Sequence, residues 1–574
     1  GTVVPKIARL AIPEVDIVDA PDFTGARKVS IYSGEWPGGT DGTRRPYNLT
    51  AYRMRSDTEY IPFNHGLSRL GLIERFGESH PDYFALLSDG RRDNDFSRPH
   101  PGQLSLAHPG LREEIYQDAK SYLTGEPPTV RNVIHRRWEY QPRWDLSAAQ
   151  PGFFCVMPQD SFRACLSDYN KAFLGQGKTE GDLVWDFTVD IANRLTSEGV
   201  PGALTQMAYA RAKMVPEIAI PDNVVVMLAV RGAWNDREPE TRRFEEDLLE
   251  QWRAKLAPRG LWLWNYANKF GGVDLPGIPN STPRAIGRYY QRMGPRVLGV
   301  YMQSDAERSL FNYLNHYVFF KTAWNTGTDT DALLEEHHRL MFGAGAKSMA
   351  AFFDDIEELW IGRVLGSPIY DDLGPAYDPP SEAMLWQEIY SRETLERLET
   401  HLDEAAGAAA ADAMSLKRIA FMRDHFFGPL AAARRDYLLR QRDIDDLVFP
   451  VLPRTSDIAL DGAPDEPAWA AAEPIVLVAI RSDGVQVRTR VLSLWDADAL
   501  HLAFECEEPL IGQMSGFSRE PDDPDVWRDS SVEIFLDPTQ ARESYGHILL
   551  NAWGSLSDQK VEGSGRDWTW SSGA

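Results

Sequence analysis

The sequence is poor in cysteine and has no excess of positive charge. Its 574 residues include 3 cysteines (Cys155, Cys165 and Cys506), too few for a disulfide framework, and no CxxC pair indicates a metal site. Whether Cys155 pairs with Cys165 stays open at this point. Lys and Arg number 60 against 85 Asp and Glu. The net charge of −25 argues against a nucleic-acid partner, because basic side chains hold phosphate backbones.

Long apolar runs are also missing. No stretch reaches the roughly 18 apolar residues of a membrane-spanning helix, and the longest runs, such as 224–230, are typical of buried strands. The first residues do not form a signal peptide. Because the chain starts at Gly1 and stops at Ala574, we expect both termini to be cut ends. We therefore still expect a secreted, periplasmic or cell-surface protein.

Aromatic residues are the informative excess. The chain has 17 Trp, 21 Tyr and 25 Phe, and many of the Trp and Tyr stand next to Asn, Asp, Gln or Gly. A flat ring beside a polar group suits a sugar, whose C–H face stacks while its hydroxyls form hydrogen bonds. The alternative is the ordinary burial of tryptophan in a large protein.

Up to about residue 330, short apolar runs alternate with amphipathic helices. Eight runs indicate buried strands that end in polar or aromatic residues: 27–34, 58–63, 131–138, 152–160, 203–210, 223–230, 260–266 and 297–304. Helices are predicted at 111–123, 183–199, 241–258 and 283–293. This alternation predicts a parallel sheet, and eight is the strand count of a closed (β/α)₈ TIM-like barrel. The alternative is an open doubly wound sheet, although no GxGxxG turn follows the first strand.

Two further blocks follow the barrel. Residues 331–449 have helical periodicity, and residues 450–574 have short strand signals that predict an antiparallel β-sandwich. We therefore predict an α/β chain of three domains: a catalytic barrel at 1–330, a helical domain packed on it at 331–449, and a carbohydrate-binding sandwich at 450–574.

Short motifs in the first block match a known family in order. They are FNHGLSRL (63–70), HPDYFALLSDGRR (80–92), GQLSLAHP (102–109), VMPQDSFRACLSDY (156–169), MAYARAKMVPE (207–217), WLWNYANKF (262–270) and LGVYMQSDAERSLFNYLNHYVFFKTAWN (298–325). Over roughly 20–360 the chain resembles the bacterial glycoside hydrolase family 163, formerly domain of unknown function 4838. The resemblance implies endo-acting β-N-acetylglucosaminidase activity on N-glycans.

The last block resembles the family 9 carbohydrate-binding module. LDGAPDEPAW (460–469), LWDADALHLAFECEEP (494–509) and VWRDSSVEIFLDP (526–538) keep its order and spacing. The resemblance implies a site that grips a terminal sugar between aromatic rings. Trp495 and Trp527 are our candidates, and Trp553 and Trp568 are alternatives. Trp469 and Trp495 could equally be core residues. Relatives of the module bind structural calcium, so the EPDDPD turn (520–525) is either a source of oxygen ligands or a solvated acidic loop.

The pair Gln159–Asp160 is the candidate for catalysis. Glycoside cleavage needs a proton for the leaving oxygen and stabilisation of positive charge at the anomeric carbon. In an N-acetyl sugar the 2-acetamido oxygen can attack, so that the protein orients the amide and supplies an acid. We predict Asp160 as the general acid and Gln159 as the amide-orienting group. The family resemblance implies Asn-Asp here, and Gln159 departs from it by one methylene. The alternative for Asp160 is a helix cap.

Other side chains are assigned by their place after strands. Glu217 is a second catalytic candidate, on a loop expected over the barrel mouth, or a surface residue; Asp305 and Glu307 rank third. The predicted sugar contacts are Asn64, His65, Tyr209, Trp234, Trp264, Asn265, Tyr266 and Gln303. His65 could equally be a structural histidine.

The sequence therefore predicts a glycosidase that cleaves a β-linked N-acetylglucosaminide with assistance from the substrate acetamide. It needs no cofactor or catalytic metal, its partner is a glycan, and it has no nucleic-acid partner or membrane span. One alternative is a two-carboxylate glycosidase that uses Asp160 and Glu217 on a polysaccharide without N-acetyl groups. The other is a glycan-binding protein without catalysis.

Overall fold

A computed structural model gives the structure of the protein. It describes residues 19–25, 27–31, 54–56, 61–96, 101–136, 139–160, 163–266, 275, 277–304, 309–371, 374–445, 450–477, 488–509, 511–514, 516, 518, 520–523, 525–537, 544–562 and 565–567. The chain forms two compact units, Gly1–Ala433 and Arg434–Ala574.

The first unit is built on a curled half-barrel sheet of seven strands. The strands are β1 (Arg27–Ile31), β2 (Ala149–Gln150), β3 (Phe153–Cys155), β4 (Ala203–Ala208), β5 (Val224–Val230), β6 (Trp262–Asn265) and β7 (Gly299–Ser304). Their order is β1-β7-β6-β5-β4-β3-β2, and all neighbours are parallel except β2 and β3. Chain order with β1 beside β7 belongs to a barrel wall, whereas a doubly wound sheet has its first strand in the middle.

Helices connect and cover these strands. They are α1 (Leu72–Phe76), α2 (Pro109–Leu123), α3 (Asp168–Leu174), α4 (Glu180–Ser197), α5 (Pro239–Leu256), α6 (Pro283–Met293) and α7 (Tyr313–Trp324). Local sequence sets their starts. Thr179 and Asp182 form a capping box for α4, while α5 and α6 begin with a proline, whose missing N–H and fixed φ suit the first turn.

The predicted strands at 203–210, 223–230, 260–266 and 297–304 are confirmed, as are the four helices between strand candidates. The predicted strand at 131–138 is wrong over the described residues 131–136. There a short 3₁₀ turn, Pro128–Arg131, ends at Asn132, which has a left-handed conformation. Val133 is buried, but it does not pair with a neighbouring strand. The candidate at 58–63 lies partly outside the described residues. Among the described ladders β1 and β2 stand at the two ends of the sheet, so barrel closure is not shown.

The rest of the first unit is mainly helical. Its helices are α8 (Thr330–Phe342), α9 (Ala346–Leu359), α10 (Arg392–Ala408) and α11 (Ala413–Met422), with π-helical turns at Trp360–Val364, Met384–Ile389 and Arg423–Phe427. The last helix, α12 (Gly428–Asp445), begins in the first unit and ends in the second. A hairpin of β8 (Pro368–Asp371) and β9 (Gly374–Tyr377) is inserted among them. Glu357 of α9 accepts the backbone N–H groups of Arg284 and Ala285 at 3.0 and 3.1 Å, so α9 caps the start of α6.

The second unit has two four-stranded sheets. One contains β10 (Leu452–Pro453), β11 (Ile475–Leu477), β12 (Thr489–Trp495) and β13 (Leu500–Cys506); the other is a meander of β14 (Ser531–Leu536), β15 (Ser544–Asn551), β16 (Leu556–Glu562) and β17 (Gly565–Asp567). Trp469, Leu492 and Leu494 pack together in a small core. The described pairs are antiparallel as expected, except that β10 pairs with β12 in parallel, and a sandwich arrangement of the sheets is not shown.

Candidate active site

The inner face of the curled sheet is packed with sulfur-containing and aromatic side chains: Phe63, Cys155, Met157, Met207, Met227, Ala229, Trp262, Trp264 and Tyr266. Side chains alternate along a strand, and paired residues of parallel strands share a face. Met207 is paired with Met227 and Met227 with Trp262, so the face is continuous. Continuing the alternation past the carboxyl ends leads to a polar layer of Gln159, Tyr209, Arg231, Tyr266 and Gln303, as expected for a barrel active site.

The Asp160 carboxyl lies at this layer between two other functional groups. Its Oδ1 accepts a hydrogen bond from the Tyr209 hydroxyl at 3.2 Å, and its Oδ2 lies 3.7 Å from Nε2 of His65. The side chain is 45% exposed. The buried Gln103 donates from Nε2 to the Asp160 carbonyl at 2.6 Å, which fixes the backbone. The carboxyl is thus held from two sides and remains accessible to a substrate.

The amide of Gln159 is engaged with backbone groups. Its Oε1 accepts the Asp160 N–H at 2.9 Å, and its Nε2 donates to the Pro101 carbonyl at 3.4 Å. The predicted role in orienting a substrate amide therefore requires this side chain to rotate into the mouth. Gln103 also donates to the Gln159 carbonyl at 3.3 Å. It was not among the predicted residues, and its place in GQLSLAHP gave no chemical signal.

His65 and Asn64 lie beside the carboxyl end of β3. His65 has φ of 48°, a left-handed conformation that is uncommon outside glycine and concentrates at functional sites. Its Nδ1 lies 2.8 Å from the Pro158 carbonyl oxygen, and its ring meets that of Tyr209 edge-on. Asn64 is half-buried. The structure therefore brings His65 to Asp160.

Tyr266 and Arg231 belong to the same layer, at the carboxyl ends of β6 and β5. Burial raises the pKa of Tyr266 well above its ordinary value, and Tyr209 and Asp160 raise it further, whereas Arg231 opposes them. The guanidinium carbon of Arg231 is 5.9 Å from the Tyr266 ring centroid. Arg231 is not among the residues predicted from the sequence, although alternation along β5 through 225, 227 and 229 leads directly to it.

Trp264 is buried beneath this layer rather than open at the mouth. Tyr301 of β7 stacks on it with ring centroids 4.0 Å apart, and its indole N–H donates to Oε1 of Gln303 at 3.2 Å. Tyr301 is only partly buried, and it is paired with Trp264 in the β6–β7 ladder. Tyr301 is therefore a further aromatic residue of this face, although it is not among the residues predicted from the sequence.

The structure corrects the roles expected for Asn265 and Trp234. Asn265 is fully buried on the outer face of β6, where its amide donates to Tyr289 and accepts from the Tyr290 hydroxyl at 2.9 Å. Trp234 is buried against Trp360 and donates its indole N–H to Thr282. Neither side chain is left to contact a sugar.

Glu217 is also misplaced by the prediction. The segment between β4 and β5 runs outside the sheet against α4 and α5, because Trp185 and Trp252 donate to the Ala212 and Lys213 carbonyls. The Glu217 side chain is 90% exposed and faces Lys178 at 3.3 Å. It is a surface residue rather than a second catalytic carboxyl. Asp305 and Glu307 lie outside the described residues.

The structure describes the state of the three cysteines and the clusters of potential metal ligands. Cys155 and Cys165 are both buried free thiols, and Cys506 is an exposed one. Nowhere in the described part of the chain do three or more His, Cys, Asp or Glu side chains assemble as a metal site, and this includes the described residues of the 520–525 turn. None of the helices in the described ranges is long and apolar enough to cross a membrane.

In the second unit, tryptophans differ in exposure. Trp495 is 45% and Trp527 56% exposed, and Trp553 is exposed as well. Trp469 is buried in the small core, where it donates to Glu466. Trp568 lies outside the described residues. Exposure is thus compatible with the two candidates but does not select between them and Trp553.

Comparisons with known proteins give one family and several distant structures. Residues 1–355 match the family model described as "Domain of unknown function (DUF4838)". A search of curated proteins gives no match. Among solved structures, a family 89 glycoside hydrolase from Clostridium perfringens, in complex with PUGNAc, is 11% identical, with a TM-score of 0.34 over 62% of this chain and 36% of that one.

Two other solved structures are similarly distant. A β-N-acetylhexosaminidase from Bacteroides fragilis NCTC 9343 is 12% identical, with a TM-score of 0.26 over 44% of this chain and 46% of that one. A family GH115 4-O-methyl-α-glucuronidase is 13% identical, with a TM-score of 0.29 over 60% and 52%. The chain spans about a third to a half of each of these three structures.

Proposed function

The chain belongs to the DUF4838 family, and from its site we propose that it is a glycoside hydrolase that cleaves a β-linked N-acetylglucosaminide in a glycan. The observation that carries the proposal is the half-exposed Asp160 carboxyl, held between Tyr209 and His65 at the carboxyl ends of parallel strands. The resemblance to glycoside hydrolase family 163 supports an endo-acting enzyme on N-glycans.

The proposed reaction uses the substrate's own acetamide. Its oxygen attacks the anomeric carbon while Asp160 protonates the departing oxygen, and Asp160 then takes a proton from the attacking water. Gln159 rotates from the Asp160 N–H to hold the acetamide. The Tyr209 hydroxyl fixes the carboxyl, and the buried Tyr266 and Arg231 form the polar wall opposite.

The position of Glu217 weakens the alternative of a two-carboxylate glycosidase. Glu217 lies on the outer segment beside Lys178, so it does not face Asp160. A glycan-binding protein without catalysis stays as the second candidate, because the Gln159 amide is engaged with backbone rather than open to substrate.

The finer architecture belongs to the same proposal. We infer that the sheet closes into a (β/α)₈ barrel, with the described residues 61–63 packed against its inner side, where Thr205 of β4 donates a hydrogen bond to the Pro62 carbonyl. Residues 450–574 then form a carbohydrate-binding sandwich, after a helical domain at 331–449. Secretion or display at the cell surface fits a glycan substrate.

Product masses from a panel of N-glycans and plant or algal polysaccharides test the proposal. The wild type should release N-acetylglucosamine-terminated products, a thiazoline mimic of the cyclised acetamide should inhibit, and Asp160→Asn should lose turnover but keep glycan binding. Asp222→Asn, which changes a carboxylate on the outer surface beside Arg259, is the matched control. Binding without turnover by the wild type would favour the second candidate.

A further inference from the structure

The tautomer of His65 follows from one contact. Its Nδ1 lies 2.8 Å from the Pro158 carbonyl oxygen, which can only accept a hydrogen bond. Nδ1 therefore carries a proton, and in the neutral imidazole Nε2 is left as an acceptor. The second nitrogen is thus prepared to take or return a proton.

The nearest acid to that nitrogen is Asp160. Nε2 faces Oδ2 at 3.7 Å, which is an ion-pair distance that a small rotation of the half-exposed carboxyl would shorten to a hydrogen bond. Tyr209 occupies the other carboxyl oxygen by donating to Oδ1. The two carboxyl oxygens therefore have different partners, a permanent donor and a group that exchanges protons.

We propose that His65 and Asp160 hold the catalytic proton jointly, with His65 as a positioning residue that acts through Asp160. The pair carries one proton in the active state, either as a carboxylic acid beside neutral imidazole or as a carboxylate beside imidazolium. The left-handed backbone of His65 is the strained feature that sets this geometry. The inference rests on the proposed hydrolase function.

The proton that the pair gives up in the first step of the proposed reaction returns to it in the second. When the acetamide oxygen bonds to the anomeric carbon, the glycosidic C–O bond breaks and its oxygen takes the proton held by the pair. Water then adds at the anomeric carbon, the bond to the acetamide oxygen breaks, and the water's proton returns to Asp160. His65 exchanges this proton with Asp160 and gains none overall.

Other titratable groups of the described residues face the pair from neighbouring strands. Tyr209, at the end of β4, donates a hydrogen bond to Asp160. At the end of β6, Tyr266 has a pKa that the charge of Asp160 raises, and its ring lies near Arg231 at the end of β5. Tyrosine and arginine keep their protons at neutral pH, so among these groups His65 and Asp160 are the pair that exchanges a proton.

His65→Asn is the decisive substitution, because asparagine tolerates the left-handed backbone and keeps a donor for the Pro158 carbonyl. In a profile of kcat/KM against pH with an aryl β-N-acetylglucosaminide, we expect the alkaline limb to move at least about one unit lower. His80→Asn, at an exposed histidine stacked on Tyr83, should keep the wild-type limb. An unmoved limb in His65→Asn would overturn the proposal.

Nuclear magnetic resonance of the histidine side chains tests the same pair without turnover. The titration midpoint of His65 should fall by about one pH unit in Asp160→Asn, since a nearby carboxylate favours imidazolium. An unchanged midpoint overturns proton sharing even if His65→Asn fails to fold. If no glycan is cleaved but the midpoint falls, the hydrolase function fails while the pairing stands.

Discussion

The hydroxyl of Tyr209 donates a hydrogen bond to Oδ1 of Asp160 across 3.2 Å, which joins the end of β4 to the end of β3. This contact orients a carboxyl that solvent reaches, while its second oxygen faces Nε2 of His65 at 3.7 Å. Tyr209 is therefore the residue whose loss should damage the acid while leaving the fold intact.

Tyr209→Phe should lower kcat by about 10- to 100-fold with a smaller change in KM, because a single oriented donor to a catalytic group has effects of this size. Initial rates on an aryl β-N-acetylglucosaminide measure it. Tyr169→Phe, at an exposed tyrosine beside His108, is the matched control. Equal rates for Tyr209→Phe and the wild type would remove Tyr209 from the site.

Arg231→Met should lower kcat/KM at least about tenfold without loss of folding, because the guanidinium beside Tyr266 is the cationic group of the polar layer. Methionine keeps most of the buried apolar stem. Arg253→Met, at a surface ion pair with Glu250, is the comparison. Steady-state kinetics and a thermal melt separate the two roles, and a lowered melting temperature with normal kinetics would assign Arg231 to stability alone.

Much of the site could be derived from strand alternation. Trp264 and Tyr266 point to the inner face, so Asn265 between them must point to the helices, and its assignment to the sugar site contradicted the pattern itself. The same rule applied to β5 gives Arg231, which was overlooked. The rest needs tertiary structure. Nothing local shows that the β4–β5 connection lacks a helix and carries Glu217 down the outside of the sheet.

The sequence predicts the fold best where an apolar strand pattern extends over six or seven residues. Strands of six or seven residues, such as β4, β5 and β7, were found, whereas a short apolar run at 131–138 was mistaken for a strand. Its Val133 is buried by packing around a left-handed Asn132 instead of by strand pairing. Short apolar runs do not distinguish these outcomes.

Glu245→Ala should destabilise the protein by about 3–5 kcal/mol, the usual result of removing one partner from a buried charged network. The carboxylate accepts the Arg231 and Gly232 N–H groups at 2.8 and 3.1 Å and the Asn235 amide at 2.7 Å. Burial raises its pKa, and the buried Lys213 opposes that rise. Urea unfolding measures the change, for which Glu250→Ala on the exposed side of α5 is the control. A loss below about 1 kcal/mol would contradict this account.

Trp527→Ala should weaken polysaccharide binding by the full chain at least about tenfold while leaving hydrolysis of a small aryl glycoside unchanged. The ring is 56% exposed, and stacking on a sugar face is its expected role. Affinity electrophoresis measures binding, with Trp495→Ala and Trp553→Ala as parallel variants. If all three variants migrate as the wild type does, the second unit does not bind polysaccharide through these tryptophans.

Three histidines on α7 and α8 should make the protein sensitive to mild acid. Burial lowers the pKa of His316 to about 4, that of His337 to about 3 and that of His338 to about 4. Each pKa is below the unfolded value near 6.5, so the unfolded chain binds more protons between these limits. Their contribution to stability is complete above pH 6.5 and is lost as pH falls toward 4.

His338→Phe removes one of these histidines, together with the 3.3 Å contact between its Nδ1 and that of His337. The ring lies parallel to Phe353, with centroids 5.4 Å apart, and near Phe342, so phenylalanine suits the site. Between pH 7 and pH 5 the wild type should lose about 2 kcal/mol more than the variant, because one buried imidazole no longer has to accept a proton. Urea unfolding at both pH values measures the difference, and His80→Phe at an exposed position should keep the wild-type slope. Parallel pH dependence in wild type and His338→Phe would show that this histidine is not the source.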